Sequence, residues 1–257
     1  MTERIEKLRN QSLNAINRIS AERALLITEF YKSHECQKVS VPVQRALSFK
    51  YIMENKSICI NDGELIVGER GPAPKATPTY PEINLHSTKD LDILNSRKKV
   101  SFMVDEKTRK TYEEIIIPFW EGKTNRDRIF RNMDQAWLDS YDSGIFTEFQ
   151  EQRAPGHTVL GKKIYRQGML DIIDEIHETI EKLNFFNDPK ALDKREELKA
   201  MEITAKAIIQ FAERHAEAFE KLASSEKDEI RKKELKQMAG ICRNVPANKP
   251  QNFHEAL

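Results

Sequence analysis

The stretch over residues 188–223 reads DPKALDKREELKAMEITAKAIIQFAERHAEAFEKLA. Asp188 followed by Pro189 is typical of a helix start, because proline in the first turn removes no helical hydrogen bond. The stretch therefore predicts one long helix. Helical patterns flank it at residues 164–183, where apolar side chains form one stripe, and at residues 226–243. The C-terminal half is predicted to be helical throughout.

The N-terminal half also carries helix signals. Residues 3–17 form a weakly amphipathic pattern, and residues with side chains suited to helix N-caps precede the later segments. The predicted caps are Ser20 before 21–31, Ser40 before 41–54, Asp105 before a helix that reaches 117, and Thr124 and Asp134 before two short helices.

One segment has a β pattern instead. Residues 58–60 and 65–67 are short apolar runs, and the turn Asn61-Asp62-Gly63-Glu64 separates them. This arrangement predicts a β-hairpin, since the turn residues tolerate positive φ. Residues 71–81 contain four prolines and predict a stiff, extended loop. The predicted fold class is mainly α with a short β-hairpin.

Charge and hydropathy exclude several classes of protein. Lys and Arg total 42 against 41 Asp and Glu, so no global basic field favours a nucleic-acid partner. No apolar run approaches the roughly 20 residues that span a bilayer. The N-terminus is charged and lacks the apolar core of a signal peptide. These features predict a cytoplasmic protein without a membrane partner.

The cysteines and helical histidines indicate no metal site. The three cysteines, Cys36, Cys59 and Cys242, are widely spaced and form no C-x-x-C pair, so neither a zinc site nor a disulfide framework is predicted. Cys59 lies in the predicted hairpin and is expected to be a buried, inert thiol. His177 and His215 are expected on helix surfaces.

The loop between the two groups of helices holds the densest polar chemistry. Residues 146–161 read FTEFQEQRAPGHTVLG. A loop of this composition usually serves binding or catalysis, because a structural connection needs only turn residues. Pro155 and Gly156 restrict the backbone next to His157, whose imidazole titrates near neutral pH. From the residues alone, a histidine that only bridges backbone groups remains an alternative.

Several segments together resemble one family. They are ERA at 22–24, VQRALSF at 43–49, NDGELIVGE at 61–69, PTYPE at 78–82, IPFW at 117–120, EQRAPGHTV at 151–159 and KP at 249–250. In this order they resemble the N-terminal part of the glycyl radical enzymes, the pyruvate formate-lyase-like superfamily. Each match alone is weak, but they run from about residue 20 to the end of the chain.

The resemblance implies that residues 1–257 are the N-terminal part of a pyruvate formate-lyase-type domain. They would form the shell of a ten-stranded α/β barrel. The family's Gly-Cys-x-Glu and Arg-Val-x-Gly-Tyr motifs are absent from this sequence. No cofactor is expected to bind directly: a radical-SAM activating enzyme would install a glycyl radical outside these residues. Residues 252–257 begin a new helical pattern, so a fragment that is inactive alone is expected.

The resemblance also implies a function, a homodimer and two site residues. The implied reaction is loss of water from a hydroxylated small molecule, and the expected substrate is trans-4-hydroxy-L-proline. His157 would be catalytic and substrate-binding, as a donor to the departing hydroxyl. Phe149 would bind the substrate by packing against its ring. Glu148, Glu151 and Arg153 are expected to form a structural ion network.

Two alternatives stay open from the sequence. Another glycyl radical eliminase, acting on glycerol or propane-1,2-diol, would share most of the shell motifs. Its pocket loop would be expected to depart from the EQRAPGH of residues 151–157. In a different class, a helical interaction module without chemistry could use the surface of residues 162–243 to bind a partner.

Overall fold

The computed structural model describes residues 2–33, 38–145 and 160–257. These residues are mainly helical, and two short strands pair near the N-terminus. The helices are α1 (Glu3–Asn14), α2 (Glu22–Lys32), α3 (Val41–Asn55), α4 (Thr88–Ser96), α5 (Glu106–Thr111), α6 (Ile117–Trp120), α7 (Asn125–Arg131), α8 (Gln135–Asp142), α9 (Met169–Glu181), α10 (Ala191–Ser225), α11 (Glu229–Asn244) and α12 (Phe253–Ala256). The strands are β1 (Arg18–Ser20) and β2 (Ala76–Pro78).

Helix α10 is the axis of the C-terminal half. It is 35 residues long, and α3, α9 and α11 each pack against it. Small buried side chains at Ala200, Ala205 and Ala216 let the neighbouring helices approach closely. The predicted long helix is confirmed, and its apolar faces pack on its neighbours.

A second core lies among the N-terminal helices. Ala24 and Ile27 of α2 pack against Tyr112 and Trp120, with Leu91 of α4 also fully buried there. The indole and hydroxyl groups in this contact have local partners. Trp120 Nε1 donates to Thr28 Oγ1 at 2.8 Å, and Thr28 Oγ1 donates to the Ala24 carbonyl at 2.6 Å. This core fixes α6 against α2.

The strands form a parallel pair, with Arg18 opposite Ala76 and Ser20 opposite Pro78. Gly71 is required beside this pair, because a Cβ there would lie 2.6 Å from the Ala76 carbonyl oxygen. The proline-rich loop predicted at 71–81 thus contains a short strand.

The predicted β-hairpin at 58–60 and 65–67 is wrong, because neither run forms a strand among the described residues. The turn is closed by a side chain: the Glu64 carboxylate accepts from Asn61 N at 2.8 Å and from Asn61 Nδ2 at 3.1 Å. The Glu64 carbonyl accepts from Arg231 of α11 at 2.8 Å. Ile60 and Val67 pack against the α10–α11 core, so burial replaces strand pairing.

Three of the predicted caps are confirmed. Asp105 accepts from Thr108 N, Thr124 from Asp127 N and Asp134 from Trp137 N, at 2.7, 2.9 and 2.9 Å. The other two serines differ in role. Ser20 belongs to β1, so α2 begins one residue later than predicted. Ser40 is the N-cap residue of α3 as predicted, but its Oγ donates to Glu196 at 2.8 Å and makes no cap hydrogen bond.

The helix predicted to reach residue 117 contains a π-helical turn over Tyr112–Ile116. Ile117 N donates to the Tyr112 carbonyl, one residue further back than in an α-helix. Pro118 follows directly and has no N–H, and its ring would clash with a carbonyl one α-helical turn earlier. The wider turn accommodates this proline within a continuous helical segment.

Candidate active site

The predicted site residues Phe149 and His157, together with Glu148, Glu151 and Arg153, lie outside the described residues. The structure shows what holds the two ends of this segment. Helix α8 leads into it at Ile145, and the segment ends at Leu160, which a 3-10 helix (Gly161–Tyr165) follows. Among the described residues, the candidate site therefore consists of the two flanks of segment 146–159: the leading flank before residue 146 and the trailing flank after residue 159.

The leading flank is fixed by an aromatic and cationic cluster. Arg126 of α7 donates from Nη2 to the hydroxyl of Tyr141 in α8 at 3.1 Å. The Arg126 guanidinium also lies 4.0 Å from the centroid of the Phe130 ring. Phe130 and Tyr141 meet edge to face with centroids 4.9 Å apart. These contacts join α8 to α7.

Helix α7 is in turn joined to residues 79–83. Its first N–H groups are not left free: Asn125 N donates to the Glu82 carbonyl at 2.9 Å, and Arg126 N to the Ile83 carbonyl at 3.0 Å. Arg23 of α2 holds the Glu82 side chain through two hydrogen bonds and the Thr79 carbonyl through a third. A continuous set of contacts thus links α2 to α8.

Two of the motifs noted in the sequence converge at this point. Arg23 comes from the ERA motif, and its guanidinium lies 4.0 Å from the ring centroid of Tyr80 in the PTYPE motif. The buried Tyr112 hydroxyl donates to Thr79 Oγ1 of the same motif. Burial raises the pKa of Tyr112 to about 12, so it stays a neutral hydrogen-bond donor near neutral pH.

The trailing flank is fixed by two sets of contacts. Leu160 and Gly161 have φ of 65° and 51°, a left-handed turn that leads into the 3-10 helix. Lys163 then donates to Glu175 of α9 at 2.5 Å, and Gln167 donates to the same carboxylate. These hydrogen bonds lower the pKa of Glu175, the one from Lys163 most.

Gly168 ends this flank in close contact with the C-terminal residues. A Cβ at Gly168 would lie 2.2 Å from the Ala247 carbonyl oxygen, so only glycine fits. Met169 N donates to the Pro246 carbonyl at 2.8 Å, and Leu170 N to the Ala247 carbonyl at 3.0 Å. Helix α9 therefore begins at Met169, several residues after the predicted start at 164.

A polar cavity of about 530 Å³ adjoins the leading flank. Its lining includes Asn84, His86, Asp90, Arg126 and Tyr141. Imidazole, carboxylate, phenol and guanidinium groups are suited to bind or protonate a small polar molecule. No sequence pattern indicates this cavity, because its residues come from three separated segments with no motif spacing.

The histidines outside the loop differ from one another. His177 is exposed and lies 3.1 Å from Glu202, in agreement with the surface prediction. His215 is buried, so its surface prediction is wrong. Burial lowers the pKa of His215, and the nearby cations Lys56 and Arg214 lower it further. The Nδ1 atom lies 2.9 Å from the Phe211 carbonyl oxygen, and this contact raises the pKa, but by less than burial lowers it. His215 is a core residue rather than a ligand.

The two described cysteines are half-buried. Burial is the main cause that raises the pKa of both Cys59 and Cys242, so each remains a thiol near neutral pH. Cys36 lies outside the described residues. Within residues 2–33, 38–145 and 160–257, no group of three or more His, Cys, Asp or Glu side chains could hold a metal ion. The same residues contain no helix suited to cross a membrane.

Comparison with known proteins places these features in one family. The profile of the pyruvate formate lyase-like family matches residues 1–257. The chain is 48% identical to trans-4-hydroxy-L-proline dehydratase of Clostridioides difficile over 255 residues, which cover 99% of this chain and 32% of that protein. The chain thus spans about a third of the length of the relatives that it matches.

Solved structures show the same relationship. A crystal structure of hydroxyproline dehydratase from Clostridioides difficile, with trans-4-hydroxy-L-proline bound, matches with a TM-score of 0.93 and 47% identity, over 100% of this chain and 32% of that chain. The B12-independent glycerol dehydratase from Clostridium butyricum matches with a TM-score of 0.91 and 32% identity, over the same shares.

Proposed function

Because the chain belongs to the pyruvate formate lyase-like family, we propose that it is the N-terminal part of a glycyl radical dehydratase. Residues 1–257 would form part of the barrel shell and carry one loop, 146–159, to the substrate pocket. The full-length enzyme would remove water from trans-4-hydroxy-L-proline and release a pyrroline carboxylate.

The substrate assignment depends on one observation, which is that the sequence of this chain is more similar to one relative than to another. The chain is 48% identical to the hydroxyproline dehydratase and 32% identical to the glycerol dehydratase, and nearly all of this chain is aligned in both cases. The fold is nearly the same in the two, with TM-scores of 0.93 and 0.91. The fold alone therefore does not favour either substrate, and the sequence favours hydroxyproline.

His157 would act on the leaving group. Hydroxide is a poor leaving group, so a proton placed on the departing oxygen as the carbon–oxygen bond breaks allows it to leave as water. An imidazole supplies that proton near neutral pH. Phe149 would pack against the pyrrolidine ring and hold the hydroxyl toward His157. The contact of Arg126 with Tyr141, and the hydrogen bonds of Met169 and Leu170 with residues 246–247, would fix both flanks of this loop.

Radical chemistry would be supplied from outside residues 1–257. A glycyl radical would supply a thiyl radical, which would take a hydrogen atom from the carbon next to the one that carries the hydroxyl and would return a hydrogen atom to the product radical after water has left. Neither described cysteine fits the thiyl role: Cys242 packs against the α10–α11 core, and Cys59 lies beside Asn61 in a turn. A radical-SAM activating enzyme and a second copy of the full-length protein are the expected partners.

The role of His157 is tested by its alanine variant in the full-length, activated enzyme. His157→Ala should lower turnover by roughly 10²-fold or more, the usual contribution of a positioned acid, and leave the glycyl radical signal in electron paramagnetic resonance near normal. Phe149→Ala should mainly raise KM, because it removes apolar contact with the substrate.

His177→Ala is the matched control, because His177 is an exposed histidine on α9. It should change neither turnover nor the radical signal. Turnover of His157→Ala close to that of the unmodified enzyme would remove His157 from the mechanism. Loss of the radical signal in that variant would show a role in activation instead.

A further inference from the structure

A cleft of about 740 Å³ opens among the described residues. It lies between α2, α3, the segment 70–83 and the residues from the end of α6 into α7. Ile27, Phe49 and Trp120 contribute apolar surface to it. Its wall includes Arg23, Tyr80 and Glu82, whose contacts lead toward the flank of loop 146–159, but the cleft itself is not used in the proposed mechanism.

Both carboxylates of the cleft already have protein partners. Glu22 accepts from the backbone N–H of Ser57 at 2.9 Å and from its hydroxyl. Glu82 is held by Arg23, which donates to Glu82 Oε2 at 3.0 Å and also to Oε1. Glu82 is therefore already paired with a cation, and Glu22 leaves only one further negative charge in the cleft, close to Lys56.

The cleft has more cationic side chains than carboxylates, and most of these cations form no ion pair among the described residues. Arg45, Arg70, Lys123 and Arg128 are exposed, and none forms an ion pair with a carboxylate of the described residues. The Lys123 ammonium lies over an aromatic face, with its Nζ 4.3 Å from the Phe119 ring centroid. Across the whole chain, cations and acids are nearly balanced at 42 to 41. The cleft is therefore a local excess of positive charge on a neutral chain.

Such a cleft complements an acidic occupant with some apolar side chains. The relatives of this chain are about three times as long, since the matched part covers 32% of the hydroxyproline dehydratase. Most of a full-length protein of this family therefore lies outside residues 1–257 and can cover this face.

We propose that the cleft receives an acidic segment of the remaining two thirds of the full-length protein. Carboxylates of that segment pair with Arg45, Arg70, Lys123 and Arg128, and its apolar side chains contact the Trp120 side of the cleft. The contact attaches the shell to the rest of the fold. This inference rests on the proposed identity of the chain as the N-terminal part of a longer enzyme.

Charge reversal tests the electrostatic part of the proposal. In the full-length protein, Arg45→Glu with Arg128→Glu should lower the melting temperature by about 3 °C or more. The control is Arg9→Glu with Lys236→Glu, which changes the net charge equally at exposed positions without ion pairs among the described residues. In the 257-residue chain, the cleft variant and the control should behave alike. An equal effect of both variants on the full-length protein would overturn the proposal.

Photo-crosslinking identifies the occupant even if the charge-reversal variant fails to fold. A photo-reactive amino acid replaces Lys123 in the full-length protein, and mass spectrometry locates the crosslinked peptide. The expected peptide is rich in Asp and Glu, comes from outside residues 1–257 and belongs to the same polypeptide. Crosslinks only within residues 1–257, or only between two copies of the protein, would overturn the proposal.

A small-anion site is the remaining outcome. In that case inorganic phosphate would raise the melting temperature of the 257-residue chain, and Arg45→Glu with Arg128→Glu would abolish the rise. That result would also overturn the proposal. None of these measurements depends on dehydration activity, so a failure of the proposed reaction would be seen separately.

Discussion

Gly168→Ala tests how the trailing flank of loop 146–159 is held. The new Cβ would lie 2.2 Å from the Ala247 carbonyl oxygen and 2.4 Å from Asn248 Cα, so the backbone on one side of this contact must move. That movement disturbs the hydrogen bonds from Met169 N and Leu170 N, which are 2.8 and 3.0 Å long.

The magnitude follows from these contacts. Overpacking costs about 1–3 kcal/mol, and each disturbed hydrogen bond contributes about 0.5–1.5 kcal/mol. The alanine restricts the unfolded chain and offsets about 0.4–1 kcal/mol of this loss. We expect Gly168→Ala to lower the free energy of unfolding by about 2–4 kcal/mol, measured by urea denaturation followed by circular dichroism.

Gly240→Ala is the matched control. Gly240 lies within α11, and a methyl group added there would meet open space, with no neighbouring atom within 4 Å among the described residues. Alanine should therefore raise the free energy of unfolding by about 0.5–1 kcal/mol through its helix propensity. Opposite signs for the two variants are the expected result. A Gly168→Ala variant as stable as Gly240→Ala would refute the close contact between residues 168 and 247.

Three further predictions concern the core and the exposed faces. Burial lowers the pKa of His215, so the unfolded chain binds its proton more readily. Stability should fall as pH drops through the unfolded value of about 6.5, and His215→Gln should flatten that dependence in urea titrations; an unchanged dependence in this variant would contradict the burial of the imidazole. Thr28→Val removes the acceptor of Trp120 Nε1 and should cost about 1–3 kcal/mol by the same assay, and an unchanged midpoint would contradict the buried hydrogen bond. The 257-residue chain alone should show no dehydration activity. It should also bind a hydrophobic dye more strongly than the full-length protein does, through exposed groups such as Phe186 and Phe253. Equal dye binding by the two proteins would contradict this expectation.

Helix positions were largely predictable from the sequence because their signals are local. Asp105, Thr124 and Asp134 cap helices as expected, since a cap needs only its own side chain and an N–H two or three residues later. The long helix α10 follows from an uninterrupted helical pattern. Boundaries were less accurate where a distant residue decides them, as where residues 246–247 fix the start of α9.

The errors share a physical cause, which is competition from long-range contacts. Residues 58–67 have a hairpin pattern, but the Glu64 carbonyl accepts a hydrogen bond from Arg231 instead of from a strand. Ile60 and Val67 pack against the α10–α11 core. The parallel pairing of β1 with β2 joins segments far apart in sequence, so no local pattern indicates it. The buried position of His215 likewise depends on which side of α10 meets other elements.

The candidate site was predicted from sequence motifs that resemble a known family, not from the spacing of chemically reactive residues. The convergence of Arg23, Tyr80 and Glu82 brings together two of those motifs, but only the structure shows the guanidinium over the ring and the paired carboxylate. The predicted roles of Phe149 and His157 remain predictions, since both residues lie outside the described part of the chain. The cavity beside Arg126 and Tyr141 could not have been found from the sequence.

The most direct test of the proposed function is a substrate comparison with the full-length protein, activated without oxygen by the proposed radical-SAM activating enzyme. We expect a glycyl radical doublet in electron paramagnetic resonance, and pyrroline carboxylate formation from trans-4-hydroxy-L-proline with a kcat/KM far above that for dehydration of glycerol. A radical signal with faster turnover of glycerol would contradict the substrate assignment. Absence of both the radical and the dehydration of either compound would contradict the proposed enzyme class.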